Sequence, residues 1–171
     1  DRLLSETLVV SVEHHEVLGS TNDRAKALTH EEGVELPAVI LSDRQTAGRG
    51  RGANRWWTGP GSLAFTLLVD TTSWRIPRER IPIVALVAGI AMVEAVEPRV
   101  EGCRLETRAG LHWPNDVYFG ARKLAGILVE VPIKNRLVVG VGINTNCRLA
   151  DAPNGLRDRV ATLLDVTGEV Q

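Results

Sequence analysis

Between Gln45 and Trp57 the chain reads QTAGRGRGANRWW, and this stretch limits the local fold more than any other. Glycine at 48, 50 and 52 is too dense for a helix or a strand interior, because ordering a glycine costs more backbone entropy than ordering a residue with a side chain. The segment is therefore expected to be a loop, and its chemistry is anion handling. Glycines let backbone N–H groups come close to a ligand, while Arg49, Arg51 and Arg55 offer forks of donors that match carboxylate or phosphate oxygens. A nucleotide phosphate, an acyl carboxylate or an RNA backbone would each suit it, and a solvated loop would read the same way.

The flanking chain supplies strands. Leu8 to Val12 reads as a short strand, and Gly19-Ser20-Thr21-Asn22-Asp23 opens a helical pattern that runs to about Glu32. Ser20 with Asp23 three residues on fits a capping arrangement. Ala38 to Ser42 is an apolar run that enters the Arg/Gly loop, and Ser62 to Val69 is the strand that leaves it. A helix is expected over 78–96, with Ile83, Val84, Val87, Ile90, Ala91 and Val93 as its core-facing stripe. Leu111 to Trp113, Val117 to Phe119, Lys123 to Val131 and Leu137 to Ile143 follow as strands, with turns at Gly120 and Lys134-Asn135. Short connections favour antiparallel pairing among them. Leu156, Val160, Leu163 and Leu164 mark a last short helix. Strands with one long inserted helix fit an α+β sheet better than a regular βαβ alternation.

At 171 residues and 44% hydrophobic, the chain is long enough for one domain with a core, and a single domain over 1–171 is the expectation. Twenty basic against twenty-one acidic residues argue against a general nucleic-acid binder. No apolar run approaches a bilayer span and no signal-peptide pattern precedes Leu8, so a cytoplasmic protein without a membrane partner is expected. Cys103 and Cys147 lack metal-ligand spacing and read as reduced structural thiols. His14 and His15, adjacent on an extended segment, point to opposite faces and do not make a metal pair.

Four further segments join the loop: Ser20-Thr21-Asn22, His112-Trp113-Pro114-Asn115-Asp116, Arg122-Lys123-Leu124-Ala125-Gly126-Ile127-Leu128 and Gly140-Val141-Gly142-Ile143-Asn144. In this order and spacing, across about Leu18 to Leu164, they resemble the catalytic domain of biotin protein ligases. The resemblance implies a mixed, largely antiparallel sheet flanked by helices, similar to class II aminoacyl-tRNA synthetases. It also implies a two-step reaction. Biotin and ATP with Mg2+ give biotinyl-adenylate and pyrophosphate, and the acyl group passes to a lysine of a biotin carboxyl carrier protein. The residue types suit that chemistry. An ionised carboxylate needs no base to attack a phosphate, and positioned cations relieve the repulsion between the two anions.

By that resemblance Ser20, Thr21 and Asn22 line the end of the pocket that holds the ureido ring, where hydroxyl and amide groups both donate and accept, and Gln45 hydrogen-bonds biotin near the loop entry. Gly48, Arg49, Gly50 and Arg51 form a lid over the acyl-adenylate, and Gly126 lets a strand approach it. Lys123, Arg49 and Arg51 supply positive charge at the reacting centre. Trp56, Asn115, Asp116 and Asn144 meet the nucleotide, with Asp116 also a ligand for Mg2+. Trp57 and Trp113 are expected to pack. For each polar residue a plain structural role is the alternative: a cap for Ser20, an Asx turn for Asn115, a strand-ending turn for Asn144.

Three departures from the family pattern stand out. His112 replaces a usual lysine, Gly52-Ala53-Asn54 replaces a more basic stretch, and the chain ends without the small C-terminal barrel common in the family. No DNA-binding helix-turn-helix is expected between Asp1 and Leu8, and a homodimer is an assembly the resemblance allows. Lipoate or octanoate ligation and a non-catalytic biotin-binding module are the rival readings, and RNA binding through the Arg/Gly loop is the third.

Overall fold

The computed structural model describes residues 2–100 and 108–171; Cys103 lies outside them. Helix α1 spans Arg2–Glu6, followed by β1 (Ser11–Leu18), α2 (Thr21–Leu28), β2 (Ala38–Gln45) and β3 (Leu63–Asp70). A 3-10 turn, Arg78–Arg80, leads into α3 (Ile81–Val100), and the strands β4 (Ala109–His112), β5 (Asp116–Phe119), β6 (Arg122–Glu130) and β7 (Arg136–Ile143) follow. A second 3-10 turn, Leu149–Asp151, precedes α4 (Leu163–Thr167).

Seven strands form one sheet in the order β1-β2-β3-β7-β6-β5-β4. Among the described residues only strands β1 and β2 pair in parallel, joined by the crossover through α2, and the other strand pairings are antiparallel. The fold is thus α+β and largely antiparallel, as the strand pattern implied. Gly120 and Asn135 sit at the expected turns with φ of 59° and 64°.

Alternation along the central strands separates two faces. Phe65, Leu67 and Val69 of β3, with Val139 and Val141 of β7 and Ile127 of β6, belong to the core cluster under α3. Leu68 and Val138, one residue out of phase, join Ile40, Ala25 and Leu28 in a smaller cluster under α2. The two helices therefore cover opposite faces. On the α2 face the sheet continues into Gly126, Leu128, Gly140 and Gly142, paired as Gly126↔Gly142 and Leu128↔Gly140. Here the strands present little side chain, and the floor of a cavity results.

Five expectations are corrected. The first strand lies at Ser11–Leu18, not 8–12; Leu8 is 77% exposed, and SVEHHEVL hides its strand character because an edge strand needs few apolar residues. The sheet-facing stripe of α3 is Ile81, Val84, Ala85, Ala88, Met92 and Val93, whereas Ile83, Val87, Ile90 and Ala91 are exposed. That helix is apolar on every side, so periodicity could not choose its buried face. Arg78–Val100 is also long and apolar enough by composition to span a bilayer, contrary to expectation, with a mean hydropathy of 1.8. It nevertheless lies against β4, β5 and β6. Finally, Leu156 and Val160 fall outside the last helix. Val160 bridges to Lys123, and Thr162 caps α4 by accepting from Asp165 N, with Gly168 ending it at φ 74°. Trp113 is 75% exposed on the β4–β5 turn and does not pack.

On β1, His15 Nε2 lies 3.1 Å from Glu13, two residues away on the same face, while His14 reaches across to Asp43 at 2.8 Å. Cys147 is a buried free thiol whose ionisation burial opposes.

Candidate active site

A cavity of about 690 Å³ opens on the α2 face. Its lining draws together Ser20, Thr21, Asn22 and Gln45 at one end and Asn115, Asp116, Lys123 and Asn144 at the other, with Arg49, Gly50, Arg51 and Trp56 above the glycine floor. Gly48 alone among the sequence-predicted residues does not line it. That glycine serves the loop's own geometry: Trp56 N donates to Gly48 O at 3.0 Å, Arg49 bridges to Arg55, and a Cβ on Gly48 would lie 2.5 Å from Trp56 O. The Arg/Gly segment is thus a small hairpin-like fold, closed by backbone pairing.

The polar end is built around one buried hydroxyl. Thr66, fully buried on β3, lies 2.8 Å from both Thr21 Oγ1 and Asn22 Oδ1. Gln45 at the end of β2 accepts from Thr21 N (2.8 Å) and Thr21 Oγ1 (3.1 Å), and donates to Thr58 at 3.2 Å. Gln45 therefore caps α2. Ser20 occupies the N-cap position with extended backbone, but its side chain makes no capping bond, and Asp23 turns instead to Lys26 and Arg49. Asn22 donates to Glu130 at 2.9 Å and to Leu128 O at 3.4 Å, so its amide is anchored on both sides.

The charged end centres on Lys123. Its ammonium lies 2.8 Å from Asp116 Oδ1 and 5.5 Å from the centroid of Trp56, close enough for a cation–π contact. Its backbone is fixed by the C-terminal segment, Lys123 N donating to Arg159 O and Ala161 N to Lys123 O. The Trp56 indole rests on the floor where Gly142 and Gly126 lack side chains; a Cβ on Gly126 would lie 3.0 Å from the ring, and one on Gly142 would overlap it. Trp56 Nε1 is buried with no hydrogen-bond partner among the described residues, as is Asn144 Oδ1. Buried polar atoms without partners are rare, so each is a natural point for a ligand group.

Asn115 and Asn144 do structural work as well. Asn115 pairs with Ile127 through both its amide Nδ2 and its carbonyl, each at 2.8 Å. Asn144 Nδ2 donates to Ala161 O at 3.1 Å. Arg49 is held by Asp23 and Glu130, whereas the Arg51, Arg55 and Arg159 side chains have no ion-pair partner among the described residues. Arg159, Tyr118, Trp113, Leu156 and Val160 were not expected at the cavity. Trp113 sits inside a motif segment and reaches the cavity on the β4–β5 turn, whereas nothing in the sequence marks the other four, and Leu156, Arg159 and Val160 come there only through the return of the C-terminal segment onto Lys123. His112, stacked on Tyr118 with centroids 4.6 Å apart, also lines the cavity. No group of three or more His, Cys, Asp or Glu gathers as a metal cage among the described residues.

The sequence matches the biotin/lipoate A/B protein ligase family over residues 15–146. It is 30% identical over 171 residues to the bifunctional ligase/repressor BirA of Bacillus subtilis, covering 98% of this chain and 50% of that protein. To the biotin–[acetyl-CoA-carboxylase] ligase of Mycobacterium tuberculosis it is 36% identical over 149 residues, covering 86% and 53%. The chain spans about half the length of these curated relatives. Among solved structures it superposes on the biotin protein ligase of Aquifex aeolicus in complex with biotin and ATP. That match has a TM-score of 0.75 and 33% identity, and covers 95% of this chain and 63% of the other. The chain belongs to the biotin/lipoate A/B protein ligase family.

Proposed function

We propose that the chain is the catalytic domain of a biotin–protein ligase. It forms biotinyl-5′-AMP from biotin and ATP and passes biotin to a lysine of a biotin carboxyl carrier protein. The observation that carries this reading is the single cavity that joins a neutral polar end to a cationic centre beneath an arginine-bearing loop. Its volume falls within the roughly 300–1,000 Å³ typical of small-molecule sites. A neutral urea suits Ser20, Thr21 and Gln45, which donate and accept; the carboxylate and α-phosphate suit Lys123 and Arg51. The solved relative bound to biotin and ATP supports the same assignment.

In the first step a biotin carboxylate oxygen attacks the α-phosphorus. The bond to the bridging oxygen breaks, and pyrophosphate leaves with the electron pair. No base is required, since the carboxylate is ionised at neutral pH. Lys123 bridges the two anions and lowers their repulsion, and Arg51 adds charge from above. Trp56 lies on the glycine floor beside Lys123 and gives the cavity an apolar wall there. Mg2+ bound with the triphosphate would add charge neutralisation. Asp116 fits it, because this ion takes one or two carboxylates with phosphate oxygens and water and needs no protein cage. In the second step an unprotonated carrier lysine attacks the acyl carbon and AMP leaves. A cytoplasmic setting goes with this reading.

The test is pyrophosphate release from MgATP with biotin, with lipoate or with no acid, and identification of the acyl-adenylate by mass. Biotin-dependent release with a product of biotinyl-adenylate mass is the expected result. Release with lipoate alone would replace the substrate, and biotin binding without product would reduce the domain to a binding module.

A further inference from the structure

The neighbours of Asn22 fix which way round its amide lies. Nδ2 donates to the carboxylate oxygen Glu130 Oε2 at 2.9 Å and to Leu128 O at 3.4 Å, two groups that only accept. Oδ1 therefore faces Thr66, whose hydroxyl lies 2.8 Å away and must donate. The amide lies against β7 at Gly140, where a Cβ would overlap Oδ1. Gln45 is fixed by the same logic. Its Oε1 accepts from Thr21 N, which can only donate, so the Thr21 hydroxyl, 3.1 Å from that oxygen, also gives its proton to Gln45. The one proton of Thr66 goes to Asn22 and the one proton of Thr21 goes to Gln45. What Thr21 shows to the cavity it lines is then oxygen lone pairs alone.

We propose that Glu130 is a positioning residue for ligand selection: by holding the Asn22 amide it draws the Thr66 proton away from Thr21 and leaves Thr21 to accept from a ring N–H of the ligand. The proposal rests on the reading of this cavity as an acyl-adenylate site whose polar end takes the head group. Glu130 does not line the cavity and acts through Asn22 and Thr66. Were the amide reversed, Nδ2 would donate to Thr66. The Thr66 proton would then turn to Thr21, 2.8 Å away, and occupy a lone pair that the ligand needs. The two Glu130 oxygens serve different partners. Oε1 lies 3.2 Å from Lys26 and 3.4 Å from Arg49, both of which also pair with Asp23, whereas Oε2 serves Asn22. A cyclic urea, with two N–H groups, suits such an end. A dithiolane ring has no donor and would leave the buried Thr21 oxygen without a partner, which is costly.

The experiment compares, by equilibrium dialysis, biotin with its two cyclic carbamate analogues, in which one or the other ring N–H is replaced by an oxygen of nearly the same size. The parent should favour biotin over at least one analogue by roughly tenfold or more, the effect of one buried acceptor left unpaired. Glu130→Gln still offers Asn22 an acceptor and should keep that ratio, whereas Glu130→Met should cut it to about threefold or less. The ion pairs lost with Oε1 weaken both ligands alike and cancel in the ratio, as does a purely structural effect. If Glu130→Met fails to fold, the exchange of Asn22→Asp with Glu130→Gln takes its place. That exchange reverses one hydrogen bond and still leaves Thr66 an acceptor, so the parent ratio should return, while Asn22→Asp alone sets two carboxylates face to face and should lose it. A parent that binds biotin without preference, or an equal ratio in Glu130→Met, would overturn the proposal and leave the ligase reading standing. A parent that binds neither ligand would refute the acyl-adenylate reading instead. Proton exchange of the Asn22 side-chain amide, followed by NMR, then tests the hold of Glu130 without a ligand: slower exchange in the parent than in Glu130→Met is expected, and equal exchange would overturn it.

Discussion

Replacing Thr66 by valine tests whether one buried hydroxyl organises the polar end of the cavity. Thr66 is fully buried, and its oxygen lies 2.8 Å from Thr21 Oγ1 and from Asn22 Oδ1. Gln45 Oε1, 3.1 Å from Thr21 Oγ1, takes the Thr21 proton, so the Thr66 proton is the one available to the other two oxygens. Valine keeps the shape of the side chain and removes that donor. The cost is the penalty of an unsatisfied buried acceptor, about 1–3 kcal/mol. For a domain of this size a change of about 2 kcal/mol lowers the melting temperature by roughly 4–8 °C. Thr66→Ser is the control: it keeps the hydroxyl and loses a methyl, worth about 1 kcal/mol. Thermal and urea unfolding give the stabilities, and equilibrium dialysis gives the biotin affinity. Valine should be the less stable variant and should bind biotin more weakly, because Asn22 and Thr21 lose their common anchor. A valine variant as stable as the parent, with serine the worse of the two, would refute the hydrogen-bond account and leave only packing at this position.

Lys123→Ala should abolish acyl-adenylate formation, with a loss of roughly 10²–10³-fold or more as for other preorganised electrostatic groups. Its melting temperature should move little, which differential scanning fluorimetry checks; normal pyrophosphate release would remove Lys123 from the chemistry. Arg51→Gly should speed escape of the adenylate while leaving the fold intact, read as the dissociation rate of the isolated product. Arg24 forks onto Glu13 at 2.7 and 2.9 Å, and that bond, with a smaller contribution from His15, holds the Glu13 carboxyl below its usual range. A depressed carboxyl stabilises the fold above its unfolded pKa of about 4.3, and the benefit is lost as pH falls through the folded value. Arg24→Met should therefore cost about 1 kcal/mol at neutral pH and flatten the loss of stability below about pH 4, seen in urea midpoints measured across pH.

What could be read from the residues follows from local rules. The Arg/Gly run is a loop by entropy, and β2, β3, β6 and β7 announce themselves because central strands must be apolar to be buried. The motif segments converge on one cavity because the sheet pairs β6 with β7 in a register that sets Gly126 beside Gly142. Edge strand β1 and the buried face of α3 were misplaced for opposite reasons: the first carries too few apolar residues to show a pattern, the second too many to show a side.

The sequence by itself determined most of the element types and the α+β class, which depend on composition and spacing along the chain, and its resemblance to the family marked most of the residues that line the cavity. Tertiary structure decided which partners those residues take. Asp23 serves Lys26 and Arg49 in place of a helix cap, Gln45 caps α2, and Arg159 reaches the cavity through the segment that pairs with the Lys123 backbone. Glu130, 81 residues from Arg49, closes a ring that no local pattern contains. Ion pairs and hydrogen bonds act over a few ångströms, and only the folded sheet brings those atoms within that reach.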